Sequence, residues 1–110
     1  MKHDITEKNN VTIVSLAGDV DLESSPEVRK ILMECVNLNR PVLVNLSGIG
    51  YIDSSGVASL IEALQTARKR DGEFALVKVS DGALRVLQLA RLDKIFTIYD
   101  TVEDGLAGVS

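Results

Sequence analysis

The sequence is poor in residue types that several functions require. Its 110 residues include no tryptophan, two tyrosines and two phenylalanines, so few side chains could stack on nucleic-acid bases. Its 12 lysines and arginines are outnumbered by 16 acids, and the net charge of −4 offers phosphate backbones and anionic lipids no overall attraction. We therefore expect no nucleic-acid binding.

Long hydrophobic runs are also lacking. No apolar run approaches the ~20 residues of a membrane helix, so we expect no direct membrane insertion. The start, MKHDITEKNN, lacks the apolar segment of a signal peptide. The single cysteine, Cys35, cannot form an internal disulfide and lies on the apolar face of a predicted helix, where we expect it to be buried. These features favour a cytoplasmic location.

The segments that are present alternate between strand and helix patterns. Strands are predicted at residues 11–18, 41–46, 73–79 and 94–100, and helices at 24–38, 54–70, 80–92 and from residue 101 onward. Residues 3–8 could pair with the first strand across an Asn9–Asn10 turn. We expect one α/β domain over residues 1–110, with its core at about 11–106 and residues 1–10 as an N-terminal segment that could be an edge strand. The sheet should be mixed but largely parallel, with about four to five strands packed by about four helices.

Hydroxyl residues stand before the predicted helices. Ser25 precedes Pro26 as a cap would, and Ser24 with Glu27 matches a capping box. Ser80 suits the cap of the third helix.

The stretch SGIGYIDSSG, residues 47–56, is predicted to be a loop that carries the strand at 41–46 into the second helix. A nucleophilic hydrolase would need glycine where Ile52 stands and a histidine base, whereas the one histidine is His3. A phosphate-binding loop would need a following G-K-[ST], which the glycines of this stretch lack. We therefore expect neither enzyme activity nor a cofactor.

Two interpretations of the serine pair remain open. Ser54 could accept a phosphate of about −1.5 to −2 charges, which a helix N-terminus tolerates through its dipole and free N–H groups. Asp53, Ser54 and Ser55 are equally good cap residues, and on the residues alone a cap needs no further function. A magnesium site formed by Asp19, Asp21 and Asp53 is a third idea, but such acids are more often solvated, so we expect no metal.

The segment YIDSSGVASLIEAL, preceded by VLVNLSGI and LAGDVDLESSPEV, resembles the STAS domain family, specifically the bacterial anti-sigma factor antagonists. The likeness extends from about Val11 to Leu106 and includes the tail ARLDKIFTIYDTVEDGL. The hallmark is D-S-[ST]-G-[LV] between a strand and a helix.

This resemblance implies a partner switch. The unphosphorylated protein would bind a GHKL-type serine kinase that is also the anti-sigma factor, and would so release the sigma factor. Phosphorylation would end the binding, and a PP2C-type phosphatase would restore it. By position in the motif the acceptor is Ser54, with Ser55 as second choice. The resemblance assigns partner binding to the motif and its upstream acid, namely Asp21, Asp53, Ser54, Ser55 and Gly56.

The same family suggests an alternative function. STAS domains also serve as small non-enzymatic subunits that brace the ATPase of lipid-handling ABC transporters. Ser54 and Ser55 would then be contact or cap residues without a phosphorylation cycle.

Overall fold

Nine elements alternate along the chain in the computed structural model, which describes residues 1–109. The strands are β1 (Lys2–Lys8), β2 (Val11–Val20), β3 (Val42–Ile52), β4 (Phe74–Val77) and β5 (Thr97–Tyr99). The helices are α1 (Ser25–Val36), α2 (Ser54–Lys69), α3 (Asp81–Leu89) and α4 (Val102–Val109). The predicted α/β class, with a mixed sheet and four helices, is confirmed.

The strands lie in the sheet in the order in which they occur in the chain, from β1 to β5. Strands β2 to β5 run parallel, because each connection from β2 onward passes through a helix. β1 pairs antiparallel with β2, from Lys2 opposite Ala17 to Lys8 opposite Val11. Asn9 and Asn10 have φ angles of 54° and 64°, which a tight hairpin turn needs at both central positions, so the predicted hairpin is confirmed.

The two faces of the sheet are covered unequally. Helices α1, α2 and α3 pack on one face around residues such as Val14, Leu60 and Leu87. Helix α4 packs alone on the other face, where Leu106 and Val109 contact a smaller cluster with Leu43. All the helices that begin after β2, β3 and β4 therefore begin at one edge of the sheet, on the same face.

Two glycines explain why α4 can lie on the sheet although its helix propensity is weak. A Cβ at Gly105 would lie 2.8 Å from Val77 Cγ1, and a Cβ at Gly108 would collide with the Tyr99 ring. These positions, which lower the intrinsic stability of the helix, are the ones at which it approaches the strands.

β3 extends six residues beyond its predicted end. Residues 47–52, predicted as part of a loop, continue the pairing with β2 through two register shifts, so that Gly18 lies opposite Ile49 and Val20 opposite Ile52. The connection to α2 is thereby reduced to one residue, Asp53. Helix α1 ends earlier than predicted, at Val36, and Leu38 lies beyond it with 51% of its surface exposed.

Candidate functional site

The predicted site residues lie at one edge of the sheet, where β2 and β3 end and where α1 and α2 begin. Residues 19–24 and 50–56 form this region, which we call the serine edge. The two segments are joined directly, because Val20 pairs with Ile52 and the backbone N–H of Asp53 donates to the Val20 carbonyl at 3.0 Å. The loop regions that follow parallel strands thus meet here, as they do in other parallel α/β sheets.

Asp53 is the N-cap of α2. Its backbone is extended, and its Oδ1 accepts hydrogen bonds from the backbone N–H groups of Ser55 at 2.9 Å and Gly56 at 3.2 Å. The Ser55 hydroxyl donates to the same oxygen at 2.5 Å. This hydroxyl is the main reason why the pKa of Asp53 is lowered, and the neighbouring backbone N–H groups, including that of Leu22, add to the effect. Asp53 is therefore kept in its carboxylate form and caps the N-terminus of α2.

The two serines have different surroundings. Ser54 is exposed at the first position of α2, and within residues 1–109 its hydroxyl makes no hydrogen bond. Ser55 is half-buried, and its hydroxyl is bound to Asp53. Of the pair, Ser54 offers the free nucleophilic oxygen, whereas Ser55 belongs to the cap.

Asp21 lies next to Asp53 and is held by its own turn. Its Oδ1 accepts from the backbone N–H groups of Ser24 at 3.0 Å and Glu23 at 3.1 Å, and it lies 3.1 Å from the Ser24 hydroxyl. The Ser24 N–H is the largest cause of its lowered pKa, while the charge of Asp53 acts in the opposite direction. The two carboxylates thus face each other closely enough to repel.

The predicted capping box at α1 is wrong. Ser24 is the N-cap residue, but its side chain makes no cap hydrogen bond to the helix. Its hydroxyl lies instead within hydrogen-bond distance of the Asp19 carbonyl at 2.9 Å and of the Asp21 carboxylate. Ser25, the other predicted cap, is buried in the first turn of the helix.

Gly56 is buried, unlike the other predicted partner-binding residues. A Cβ at this position would lie 2.5 Å from Val20 Cγ1 and 2.7 Å from Ile52 Cγ1. The missing side chain is therefore required by packing between α2 and the strand ends. A contact between Gly56 and a partner stays a prediction.

Two exposed apolar residues of the serine edge were missed from the sequence. Leu22 is 77% exposed and Tyr51 is 53% exposed. Leu22 stands alone between acids in the turn before α1, which is a signal that could have been used. Tyr51 was hidden because the strand that carries it was predicted as a loop.

The serine edge is acidic and shows no cluster suited to a metal. Residues 9–28 and 41–67 contain no lysine or arginine, although they contain five acids up to Asp53 and one more in α2. Over residues 1–109, no three or more His, Cys, Asp or Glu side chains are grouped so that they could hold a metal ion.

Cys35 is buried, as predicted, and burial raises the pKa of its thiol. None of the helices described is both long and apolar enough to cross a membrane.

Comparison with known proteins agrees with this architecture. The STAS domain family model matches residues 2–105. This chain belongs to the STAS domain family. The STAS proteins similar to it include the anti-sigma-B factor antagonist of Bacillus subtilis (strain 168), which is 24% identical over 103 residues, 94% of each chain. The anti-sigma F factor antagonist of Paenibacillus polymyxa is 29% identical over 98 residues, which cover 87% of this chain and 84% of that one. The crystal structure of an anti-sigma factor antagonist from Mycobacterium paratuberculosis superposes with a TM-score of 0.88 at 26% identity, over 98% of this chain and 92% of that one.

Proposed function

We propose that this STAS protein is a cytoplasmic anti-sigma factor antagonist whose binding is switched by phosphorylation of Ser54. The observation that carries the proposal is the difference between the two serines. Ser54 is exposed and its hydroxyl is free of hydrogen bonds within residues 1–109, while the neighbouring Asp53, Ser55 and Gly56 are used by the fold. The names of the relatives support the regulatory role.

In this function the chain is the substrate of a GHKL-type serine kinase that is also the anti-sigma factor. The Ser54 Oγ attacks the γ-phosphorus of ATP bound to the kinase, a new Oγ–P bond forms, and the bond to the leaving ADP oxygen breaks. The hydroxyl proton passes to a base that the kinase supplies. A PP2C-type phosphatase reverses the modification by hydrolysis and releases inorganic phosphate.

The surroundings of Ser54 give a physical reason why phosphorylation would end binding. The backbone N–H groups of Ser55 and Gly56 already donate to Asp53, so they are not available to neutralise a phosphate. A phosphate at Ser54 adds about −1.5 to −2 charges beside the carboxylates of Asp53 and Asp21. A partner surface that fits the unmodified edge closely has no space for the added phosphate, and binding would strip the phosphate of water without a positive group placed to receive it. Because Ser54 is exposed, the core need not change.

The test is phosphorylation by the cognate kinase. The chain is incubated with that kinase and Mg·ATP, and the modified peptide is identified by mass spectrometry. We expect one phosphoryl group on Ser54, none in Ser54→Ala, and normal incorporation in the matched control Ser55→Ala. Ser54→Ala should bind the kinase without being released by ATP, and Ser54→Asp should bind it weakly.

Several results would overturn the proposal. These are modification of Ser55 in place of Ser54, an unmodified chain under conditions in which the kinase is active, or Ser54→Ala and Ser54→Asp variants that bind every partner like the unchanged protein. Copurification with the ATPase of a lipid-handling transporter in place of a kinase would favour the alternative role as a bracing subunit.

A further inference from the structure

Two large apolar side chains are exposed on the two segments that surround Ser54. Leu22 comes from the turn between β2 and α1, and Tyr51 from the last residues of β3. Their segments are in contact, since the Asp53 backbone N–H donates to the Val20 carbonyl and Tyr51 pairs with Asp19 in the β2–β3 ladder. Neither residue belongs to the two core clusters.

Exposed apolar residues are common, and their exposure alone indicates nothing. Leu89 is even more exposed, at 80%, but it is the last residue of α3, at the opposite end of that helix from the sheet edge where α3 begins. What distinguishes Leu22 and Tyr51 is that both adjoin the turn that presents the free hydroxyl of Ser54. Folding gains little from them where they are, because most of their surface stays in water.

The charged side chains of the two segments that carry this pair are all acidic, and Met1 lines the same hollow as Asp19 and Asp21. The segments that meet at the serine edge, residues 9–28 and 41–67, contain no lysine or arginine. The acids of the edge are Asp19, Asp21, Glu23 and Asp53, with Glu27 in the first turn of α1. A basic partner surface would complement these acids, since the two segments contain no lysine or arginine.

We propose that Leu22 and Tyr51 are the apolar anchors with which the serine edge docks on a basic, ATP-binding protein surface, and that the acids form the rim of the interface. This inference rests on the proposed function and names the chemistry of the partner's docking face. Apolar and aromatic anchors in the middle of an interface, with a polar rim, are the usual arrangement of protein–protein contacts.

The arrangement predicts that anchors and rim act on different steps of binding. Apolar anchors determine how long the complex lasts, so their loss should raise the dissociation rate. Rim charges steer the encounter, so neutralising Glu23 should lower the association rate and weaken its dependence on salt.

The experiment measures binding of the unphosphorylated full chain to the purified cognate kinase by surface plasmon resonance, with a non-hydrolysable ATP analogue present. Leu22→Ala and Tyr51→Ala should each weaken affinity by about tenfold or more, mainly through faster dissociation. The matched control Leu89→Ala removes an equally exposed leucine from α3 and should change affinity by less than about twofold. Leu22→Met and Tyr51→Phe, which keep the apolar surface, should restore most of the affinity.

The outcomes separate this inference from the proposed function. If Leu22→Ala and Tyr51→Ala bind like the unchanged protein while Ser54 is still phosphorylated, the anchors are wrong and the switch stands. Equal losses in Leu89→Ala would likewise overturn the anchors. If the unchanged chain does not bind the kinase at all, the proposed function fails and the anchors fail with it. Circular dichroism of each variant verifies that the fold is retained.

Discussion

The two ends of the sheet differ in charge and in how their polar groups are used. The charged side chains of the serine edge are all acids, and Asp21 and Asp53 accept hydrogen bonds from backbone N–H groups of the turns in which they lie. The opposite end, where α1 and α2 finish, holds Arg40, Arg68, Lys69 and Arg70. Bases suit helix C-termini, as acids suit N-termini, so both sets of charge assist folding.

What separates the two ends is an exposed serine hydroxyl at a helix start that makes no hydrogen bond within residues 1–109. At the basic end Arg40 contacts Glu7, Arg70 donates to Asn39, and Arg68 donates to the Ile95 carbonyl. At the serine edge Asp53 and Ser55 are consumed by the cap, while the Ser54 hydroxyl is not. Charge complementarity to the helix dipole is therefore a property of both ends, whereas the unbonded serine hydroxyl at a helix start is a property of the serine edge alone.

The largest effect on stability is expected when a glycine at each end of the sheet is replaced by alanine, and it would sharpen the comparison between the two ends. Gly56→Ala should lower the free energy of unfolding by about 1–3 kcal/mol, because its Cβ would press on Val20 and Ile52. Gly72→Ala at the basic end is the matched control, since the nearest atom to its Cβ would be the Ala67 carbonyl at 3.4 Å, and it should change stability by about 0.5 kcal/mol or less. Urea unfolding measures both. A Gly56→Ala protein as stable as the parent would contradict the packing argument.

A smaller effect is expected at the turn that follows α1. Asn39 has a φ of 59°, a left-handed conformation that asparagine and glycine tolerate best, and its side chain accepts a hydrogen bond from Arg70. Asn39→Ala should cost about 1–2 kcal/mol through backbone strain, whereas Asn39→Gly should lose only the side-chain contact. Thermal unfolding of the two variants compares them. Equal losses would mean that the hydrogen bond and not the backbone holds this end.

The smallest effect is a dependence on pH at the serine edge. The folded-state pKa of Asp53 is lowered, so its stabilisation is present at pH values above its ordinary pKa and is lost as the pH falls through the lowered value. The stability difference between the parent and Asp53→Asn should therefore shrink on acidification below about pH 4. Glu62, whose pKa Arg29 lowers, is present in both proteins and cancels in the comparison. Chemical unfolding of both proteins at a series of pH values gives the stability difference between them. A difference that grows as the pH falls would contradict the prediction.

Most of the fold was accessible from the sequence, because apolar and β-branched patterns identified the four helices and strands β2 to β5, and the Asn9–Asn10 turn indicated β1. The exception was the second half of β3. Ser47, Gly48 and Gly50 have low strand propensity, and the β2–β3 register shifts twice across them, so pairing geometry overrides local preference. Gly48 is needed there because a Cβ would lie 2.9 Å from Ala17 Cβ. Such a close approach between two strands produces no periodic pattern in the sequence from which it could be predicted.

The candidate site was predictable as a group of residues, but the individual roles were not. The motif placed Asp53, Ser54 and Ser55 together, yet three adjacent polar residues could share a helix start in several ways. Likewise, Ser24 and Glu27 fit a capping box, but the hydroxyl is taken by the Asp19 carbonyl and the Asp21 carboxylate. Competition between nearby acceptors depends on the three-dimensional path of the turn, which composition and spacing do not contain.

The packing of Gly56 against Val20 and Ile52 changes how homologous sequences with a D-S-S-G motif can be classified. In the D-S-S-G motif, Asp53 and Ser55 cap α2 and Gly56 packs against the interior, so these three residues indicate the fold whether or not the protein takes part in signalling. We expect Ser54 to be the residue of the motif that can vary without loss of stability. Homologues that keep the acid and the glycine but replace that one serine are expected to fold alike and, under the proposed switch, to bind the kinase without being released by ATP.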